Sequence, residues 1–384
     1  MTNINIVKKE HCYGCFACEN ICPVDAIAMT LDDEGFLYPS VDPDKCINCS
    51  KCVRVCPSLK QPEINKVKNV YAGYARDNHE HMTSSSGGFF SVLAREVLKQ
   101  NGVVFGAAYD CDMSVKHICI DNVNDLYHLK GSKYLQSRIE DTYNTCKKYL
   151  EAGRIVLFSG VPCQIGGLRT FLNKDYTNLI CIDLICHGVP SPAVWKRYLA
   201  ERYRNEKVIR INFRDKSEGV SNARITYDLE NGTKDSERYK DSVYVHGFLS
   251  NFYIRPSCFN CGYKGTSRTS DITLGDFWSI KEFHPEMNGD YGTSAIIIHT
   301  QKGQQWFDAV RDQLEICNAT MKEAATWNES ITEPAKKEIY RSRFYETCNT
   351  DTLDHVIEKL YTDRKKAMEQ KPAKKSLLTR LLKR

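Results

Sequence analysis

The sequence predicts an α+β multi-domain fold, in which a small cysteine-rich domain precedes a larger mixed α/β domain. Three observations support this prediction. Eight of the 18 cysteines lie before residue 57. A polar stretch with one proline, LKQPEINKVKN, then indicates a linker. From residue 71 onward, short apolar runs alternate with segments of helical periodicity, which is typical of an α/β core.

The eight N-terminal cysteines form two motifs, each with the pattern C-x2-C-x2-C-x3-C followed by proline. The motifs are Cys12, Cys15, Cys18, Cys22 and Cys46, Cys49, Cys52, Cys56. This is the spacing of bacterial two-cluster ferredoxins, in which the fourth cysteine ligates the other cluster. The predicted ligand sets of the two [4Fe-4S] clusters are Cys12, Cys15, Cys18, Cys56 and Cys46, Cys49, Cys52, Cys22. Two zinc sites are the alternative, but zinc favours isolated C-x2-C pairs.

We expect four regions along the chain. They are a ferredoxin domain over 1–60, a linker over 61–70, a main domain over 71–350, and a C-terminal helix with a basic tail over 351–384. The linker is polar, and cations accumulate near the C-terminus, so composition changes at both boundaries.

Strand-like and helix-like segments alternate through the first half of the main domain. A Ser/Gly turn opens a helix over 89–98, because apolar residues recur there at helical spacing. Apolar runs and stop signals such as Gly153 then give a strand over 102–109, a helix over 142–152, a strand over 154–158, a helix over 163–172, a strand over 179–185 and a helix over 192–204. This order predicts a mainly parallel core.

The second half of the main domain has a different pattern. Residues 208–213 and 223–229 alternate between polar and apolar, and Asn231-Gly232 is typical of a hairpin turn. We therefore predict an antiparallel insertion over about 207–240. The elements expected after it are strands over 272–274 and 295–299 and a closing helix over 304–314.

Composition restricts the compartment and the partners. The opening MTNINIVKKE lacks the apolar stretch of a signal peptide, and no apolar run approaches the roughly 18 residues of a membrane helix. We expect a cytoplasmic protein, where clustered cysteines indicate metal or redox chemistry. Residues 361–384 carry nine Lys and Arg against two acids, so the formal charge of +5 leaves 5 − 7 = −2 for the rest. No nucleic-acid partner is expected.

The basic tail has its own pattern. Its leucines share one helical face and are flanked by cations; they are Leu377, Leu378, Leu381 and Leu382. The pattern indicates a peripheral contact with an anionic membrane or an acidic partner. A disordered solubilising tail is the alternative, because so short a helix is marginally stable alone.

Four cysteines of the main domain have informative settings. Cys163 begins a predicted helix and Cys186 ends a predicted strand, so both should lie at the carboxyl edge of the sheet. Cys258 and Cys261 form a C-x2-C pair. The four could hold a third [4Fe-4S] cluster, and zinc at the C-x2-C pair is the alternative. The remaining cysteines are interpreted as isolated thiols: Cys111, Cys119, Cys146, Cys181, Cys317 and Cys348.

Small-residue turns are candidate ligand contacts. Residues 84–88 precede a predicted helix, whose first N–H groups could face a phosphate, although a simple helix cap has a similar sequence. Residues 131–134 combine small residues with a cation and an aromatic ring, and residues 275–278 could contact a planar cofactor. No G-x-G-x-x-G motif supports a nicotinamide or flavin site of Rossmann type.

Taken together, these motifs resemble the family formed by the beta subunits of coenzyme F420 hydrogenases and dehydrogenases, with a ferredoxin domain fused at the N-terminus. The resemblance covers roughly residues 70–320, and no single motif carries it. The motifs are SSGG at 85–88, GSKY at 131–134, PCQ at 162–164, CHG at 186–188, the Cys258/Cys261 pair and DITLGD at 271–276. The resemblance implies a mixed α/β domain that binds FAD and a [4Fe-4S] cluster and passes electrons between them.

The resemblance also implies particular ligands. The third cluster would be held by Cys163, Cys186, Cys258 and Cys261. Contacts with FAD would come from Ser86, Gly87, Gly88, Gly131, Ser132, Lys133, Tyr134, Thr293 and Ser294. Nothing in the sequence selects deazaflavin as the substrate.

We therefore expect an iron–sulfur flavoprotein oxidoreductase that passes electrons between ferredoxin-type clusters and FAD, and from there to or from a small organic substrate or deazaflavin. A redox protein would be the external donor or acceptor. The alternative is an electron-relay subunit of a larger complex, with no substrate of its own. A regulatory redox sensor lacks support, because no basic DNA-reading helix is evident.

Two further positions have competing interpretations. His187 is a candidate proton donor beside the flavin, or else a histidine satisfied by local hydrogen bonds. Arg214, Asp215 and Lys216 follow a predicted strand. A solvated charge cluster is favoured there over the mouth of a substrate site.

Overall fold

The computed structural model describes residues 3–337 and 339–369. The leucine face of the basic tail lies outside the described residues, so its predicted membrane or partner contact stays a prediction. Among the described helices, none is long and apolar enough to cross a membrane.

The two cysteine motifs fold alike. Each places a cysteine on a short helix, Cys18 on α1 (Ala17–Asn20) and Cys52 on α2 (Lys51–Arg54). A residue with positive φ precedes each helix and turns the chain sharply. Between the motifs lies an antiparallel hairpin of β1 (Ile27–Leu31) and β2 (Leu37–Val41).

The main domain is built on an eight-stranded sheet. Its strands are β3 (Asn69–Ala75), β4 (Val103–Tyr109), β5 (Val115–Ile120), β6 (Val156–Gly160), β7 (Leu179–Leu184), β11 (Ile272–Asp276), β12 (Ser294–Ile298) and β13 (Leu314–Ala319), with the spatial order β13-β3-β12-β11-β7-β6-β4-β5. The β11-β7-β6-β4 neighbours are parallel and the other neighbours are antiparallel. The mixed sheet agrees with the predicted fold class, but the mainly parallel core was wrong outside these four strands.

Parallel pairing is confined to strands that are joined by crossovers, as the geometry of parallel sheets requires. The helices of the main domain are α3 (Asn78–Thr83), α4 (Phe89–Lys99), α5 (Thr142–Glu151), α6 (Pro162–Leu172), α7 (Pro192–Arg202), α8 (Val243–Leu249), α9 (Ile280–Phe283), α10 (Gln301–Asp308), α11 (Met321–Ala325), α12 (Ile339–Thr347) and α13 (Leu353–Glu369). The closing helix predicted over 304–314 was placed too late, because the helix ends at Asp308 and the edge strand β13 begins at Leu314.

The predicted antiparallel segment forms a separate three-stranded sheet. Its order is β10 (Lys234–Arg238), β9 (Arg224–Leu229) and β8 (Val208–Asp215), and Gly232 has φ +85° in the turn between β9 and β10. Aromatic residues of this sheet and of α7, α8 and α12 share one hydrophobic core, which includes Trp195, Phe213, Tyr227, Tyr244 and Phe344.

The ferredoxin module packs directly on α6 of the main domain. Phe16 and Val55 belong to the same hydrophobic core as Leu168 of α6. On another side, Arg341 forms a two-pronged contact with the Glu34 carboxylate, and its Nη1 donates to Oε1 at 2.8 Å. This packing places the cysteines of the module beside the helix that begins at Cys163.

Candidate functional site

The structure brings each predicted ferredoxin ligand set together around a cavity of its own. The first ferredoxin cavity is lined by Cys12, Cys15, Cys18 and Cys56. The second ferredoxin cavity is lined by Cys22, Cys46, Cys49 and Cys52. The fourth cysteine of each motif therefore lies with the other motif, because α1 and α2 pack side by side.

The thiols within a set are close enough to repel one another when ionised. Burial raises the pKa of the Cys18 thiol well above its usual value, and the neighbouring thiols Cys15, Cys12 and Cys56 raise it further. Such a group forms thiolates only when a cation compensates their charge, which iron does in a cluster.

A third cavity in the main domain is lined by Cys163, Cys186, Cys258 and Cys261. Cys163 lies in the first turn of α6, Cys186 follows β7, and the C-x2-C pair lies in and after a 3₁₀ turn. Burial raises the pKa of Cys163 well above its usual value, followed by the charges of Cys261, Cys186 and Cys258. The volume of this main-domain cysteine cavity is about 490 Å³, compared with about 350 Å³ for each ferredoxin cavity.

Tyr13 forms a common wall between the main-domain cysteine cavity and the first ferredoxin cavity. Its ring contacts Tyr263 edge-on at 5.3 Å between centroids. Tyr263 packs so closely on α6 that a Cβ at Gly166 would lie 1.9 Å from the phenol oxygen. The two cysteine cavities are therefore adjacent, which the sequence spacing did not predict.

A much larger cavity, of about 1860 Å³, opens at the carboxyl ends of β6, β7 and β11. Several of the predicted flavin contacts line it. These are Ser86, Gly88, Gly131, Ser132, Lys133, Tyr134 and Ser294, together with His187. The residues come from turns that are far apart in sequence, and the sheet edge brings them together as expected for an open α/β sheet.

Gly87 and Thr293 do not line this large cavity. The Gly87 N–H donates to Ser294 Oγ at 2.8 Å, and a Cβ at Gly87 would lie 2.2 Å from the Gly73 carbonyl oxygen. Thr293 is buried and donates its hydroxyl to the Met287 carbonyl at 2.6 Å. Both residues hold the cavity wall against β3 and β12.

Two buried lysines hold the loops around the large cavity. The Lys133 ammonium donates to the carbonyls of Lys130 at 2.8 Å and His128 at 3.1 Å, and burial lowers the pKa of Lys133 to about 7. Lys216 donates to the carbonyls of Ser86 and His81, and burial lowers the pKa of Lys216 to about 7. The solvated cluster favoured from sequence was therefore wrong for Lys216, which is 1% exposed.

Three buried polar atoms that line the large cavity have no hydrogen-bond partner among the described residues. They are Ser86 Oγ, Arg214 Nε and Asn328 Oδ1. Because buried polar groups are normally paired, these atoms fit a polar ligand. Arg214 also forms an ion pair with Asp276 at 3.2 Å. Sequence reasoning missed Asn328, which belongs to no motif and reaches the cavity from a distant loop.

His187 lies in the segment that separates the large cavity from the main-domain cysteine cavity. Both cavities are lined by Cys186, His187, Gly188 and Val189. His187 Nε2 lies 2.7 Å from Asn251 Oδ1, and Asn251 Nδ2 donates to the Lys336 carbonyl. This orientation of Asn251 makes His187 Nε2 the protonated nitrogen and leaves Nδ1 as an acceptor. Burial lowers the pKa of His187, so the ring is neutral at pH 7.

The domains agree with known family models. Residues 11–59 match a 4Fe-4S dicluster domain, and residues 153–323 match the family model for the C-terminal part of the coenzyme F420 hydrogenase/dehydrogenase beta chain. The chain is therefore an iron–sulfur protein of an oxidoreductase class. Its main domain belongs to the family of coenzyme F420 hydrogenase/dehydrogenase beta subunits, as the resemblance indicated.

Similar proteins share most of this arrangement. The F component of the F(420)H(2) dehydrogenase of Methanosarcina mazei, one subunit of that enzyme, is 22% identical over 329 residues, which cover 81% of this chain and 85% of that protein. The coenzyme F420-dependent sulfite reductase of Methanocaldococcus jannaschii is 27% identical over 79% of this chain, which spans about half, 47%, of that protein. A chain of the F420-reducing [NiFe] hydrogenase complex from Methanosarcina barkeri aligns over 80% of this chain and 94% of its own length, with 17% identity and a TM-score of 0.45.

Proposed function

We propose that this protein is an iron–sulfur flavoprotein that exchanges single electrons with a redox protein and a hydride with a small organic substrate. The ferredoxin module provides the entry or exit for electrons, and the large cavity holds FAD and the substrate. The observation that carries this proposal is the shared wall at residues 186–189, which puts a cysteine-lined site directly against the large cavity.

The proposed third [4Fe-4S] cluster rests on the donor set and on space. Four cysteine sulfurs line a cavity that is larger than either ferredoxin cavity. Zinc bound by four thiolates at about 2.3 Å would draw the sulfurs together and leave no comparable cavity. The donor set and the volume therefore favour a cluster over zinc.

The proposed FAD site rests on charge and on unpaired polar groups. A flavin supplies the exchange between a two-electron hydride and single electrons. The N-terminus of α4 and the cations Lys130 and Arg214 face the large cavity and suit the pyrophosphate of a dinucleotide. A Cβ at Gly131 would meet no atom within 4 Å, so the backbone there is open to a ligand.

Residues near the shared wall control water and protons. Leu184, Val189 and Phe248 give this part of the large cavity an apolar lining that excludes water. His187 is neutral and presents Nδ1 as a hydrogen-bond acceptor, so it suits orientation of a donor group rather than delivery of a proton at pH 7.

The substrate is proposed from the names of the relatives. Two of them are named for coenzyme F420, so a deazaflavin hydride carrier is the first candidate. Arg214 and the exposed Trp278 line the large cavity and offer a cation and an aromatic face to an anionic ring system. The second candidate function is a relay subunit without a substrate, because one of these relatives is itself named as a subunit.

The proposal is tested by purifying the full chain without oxygen and measuring iron, sulfide and flavin. We expect about twelve iron atoms and one FAD per chain, and bleaching of the flavin by reduced coenzyme F420. Arg214→Met should weaken FAD binding, whereas Arg210→Met, on the same strand but outside the large cavity, should not. Absence of flavin from reconstituted protein would refute the flavin proposal. Bound flavin that no hydride donor bleaches would favour the relay subunit.

A further inference from the structure

Arg255 occupies the space between two of the cysteine cavities. It lines the main-domain cysteine cavity, and its Nη2 lies 3.7 Å from the sulfur of Cys12, a predicted ligand in the first ferredoxin cavity. The side chain is fully buried, at 0% exposure. One guanidinium therefore reaches two sites that the proposed function assigns to different clusters.

The guanidinium is held in place by groups that leave its charge uncompensated. Nε donates to the Cys12 carbonyl at 2.7 Å, Nη2 to the Leu37 carbonyl at 2.8 Å, and Nη1 to Gln136 Oε1 at 3.0 Å. The carbon of the guanidinium lies 4.3 Å from the centre of the Tyr38 ring. Among the described residues, no carboxylate pairs with Arg255.

A buried cation without a carboxylate partner is costly unless other negative charge surrounds it. The thiolates of the two cavities supply that charge. In addition to Cys12, Cys258 is within electrostatic reach, since Arg255 acts to lower the pKa of that thiol against the dominant effect of burial. Iron–sulfur clusters with four thiolate ligands are anionic, and reduction adds one further negative charge to each.

The local backbone also makes room for this arrangement. Gly14, with φ +62°, lies between the first two cysteines of the first motif, and a Cβ there would lie 2.8 Å from the guanidinium carbon. Gln136, which accepts from Arg255, also donates to the Tyr13 carbonyl at 3.0 Å. The cysteine loop, the arginine and Tyr13 are thus fixed together.

We propose that Arg255 raises the reduction potentials of both the first ferredoxin cluster and the main-domain cluster, and so keeps electron transfer between them reversible. Hydrogen bonds to cluster sulfurs and nearby positive charge both favour the reduced, more negative state. Arg255 is a positioning residue, because it acts through the clusters and does not touch the substrate. The inference rests on the proposed function only for the third cluster, since the Cys12 contact concerns the ferredoxin module alone.

The test is a redox titration of the anaerobic full chain, followed by EPR, for wild type and Arg255→Met. We expect the potentials of the first ferredoxin cluster and the main-domain cluster to become more negative, and that of the second ferredoxin cluster to stay unchanged. Arg202→Met is the control, because Arg202 is also partly buried but pairs with Asp235 and Glu237. Equal potentials in the wild type and Arg255→Met would overturn the proposal.

Arg255→Lys keeps the test decisive if the methionine variant does not accumulate. Lysine retains the charge but cannot make the four contacts of the guanidinium fork, so the first ferredoxin cluster should still shift to a more negative potential. Unchanged potentials in this variant would overturn the role of the Cys12 contact. Iron analysis of the wild type separates the two hypotheses: two clusters per chain would refute the proposed third cluster and leave the predicted shift of the first ferredoxin cluster in force.

Discussion

Burial determines the charge of individual side chains in this protein, and His117 is the clearest case. It lines the large cavity, and its ring nitrogens contact Ser137 Oγ at 2.7 Å and the Ser159 carbonyl at 2.9 Å. Burial lowers the pKa of His117 to about 4, against about 6.5 in an unfolded chain. Between these values the unfolded state binds more protons, so stability falls as the pH falls.

This linkage predicts a pH-dependent stability. On going from pH 7 to pH 5, His117 should reduce the free energy of unfolding by about 2 kcal/mol. Anaerobic thermal unfolding at several pH values measures the effect, and His117→Gln should show a flatter dependence than the wild type. His355→Gln is the control, because His355 is exposed. Parallel pH curves for wild type and His117→Gln would contradict the assignment.

Glycines near the large cavity have different roles, which substitution can separate. Gly87→Ala should destabilise the fold by on the order of 3 kcal/mol, because the new Cβ would overlap the Gly73 carbonyl. Gly131→Ala should cost about 1 kcal/mol, since φ is +84° but no atom lies within 4 Å of the Cβ. Thermal unfolding of both variants checks this order. A greater loss in Gly131→Ala would show that the tight approach at Gly87 relaxes without penalty.

At the scale of elements, the main-domain cysteine cavity joins the start of α6, the end of β7 and one 3₁₀ turn. Replacing both Cys258 and Cys261 with serine should remove about four of about twelve iron atoms and leave the ferredoxin clusters intact. Iron analysis with EPR measures this. Cys111→Ser is the control, since Cys111 is exposed and outside the three cysteine cavities. Unchanged iron, or zinc in the wild type, would contradict the third cluster.

The elements that could be predicted from sequence are those with strong local signals. α4 and α6 begin at Ser/Gly or Pro turns and follow helical periodicity, and β4 and β7 are continuous apolar runs, so their predicted bounds lie close to those observed. The edge strands β5 and β13 were not predicted. Their burial is partial and their pairing comes from partners far along the chain, so tertiary contacts rather than local pattern determine them.

The same distinction applies to the candidate site. Cysteine spacing predicted sets of ligands that the fold does bring together, because each motif wraps its own cavity locally. Arg255 and Asn328 could not be predicted, since their sequence neighbours carry no motif and only the folded chain brings them to the cavities. Gly87 shows the converse, because a glycine in a ligand-binding motif can serve the packing of the wall behind it.

At the scale of the whole molecule, the cavities form a connected series. The two ferredoxin cavities meet across α1 and α2, Tyr13 joins the first of them to the main-domain cysteine cavity, and residues 186–189 join that cavity to the large one. The second ferredoxin cavity lies at the opposite end of this series from the large cavity. Val24 and Ile47 line it and are solvent-exposed, so a redox protein can approach it there.

This order predicts which step fails when one end of the series is disabled. Cys46 and Cys49 are only partly buried, so replacing both with alanine should remove the second ferredoxin cluster with little disturbance of the core. Reduced coenzyme F420 should still bleach the flavin at the wild-type rate in a stopped-flow experiment, because the large cavity and its neighbouring cysteine site are intact. Electron transfer to a small ferredoxin as acceptor should fall by at least about tenfold, which corresponds to about 1.4 kcal/mol in the barrier. Cys111→Ala provides the control for cysteine loss at the surface. Wild-type reduction of the acceptor by the double variant would mean that electrons leave from another face, and the linear order inferred from the adjoining cavities would be wrong.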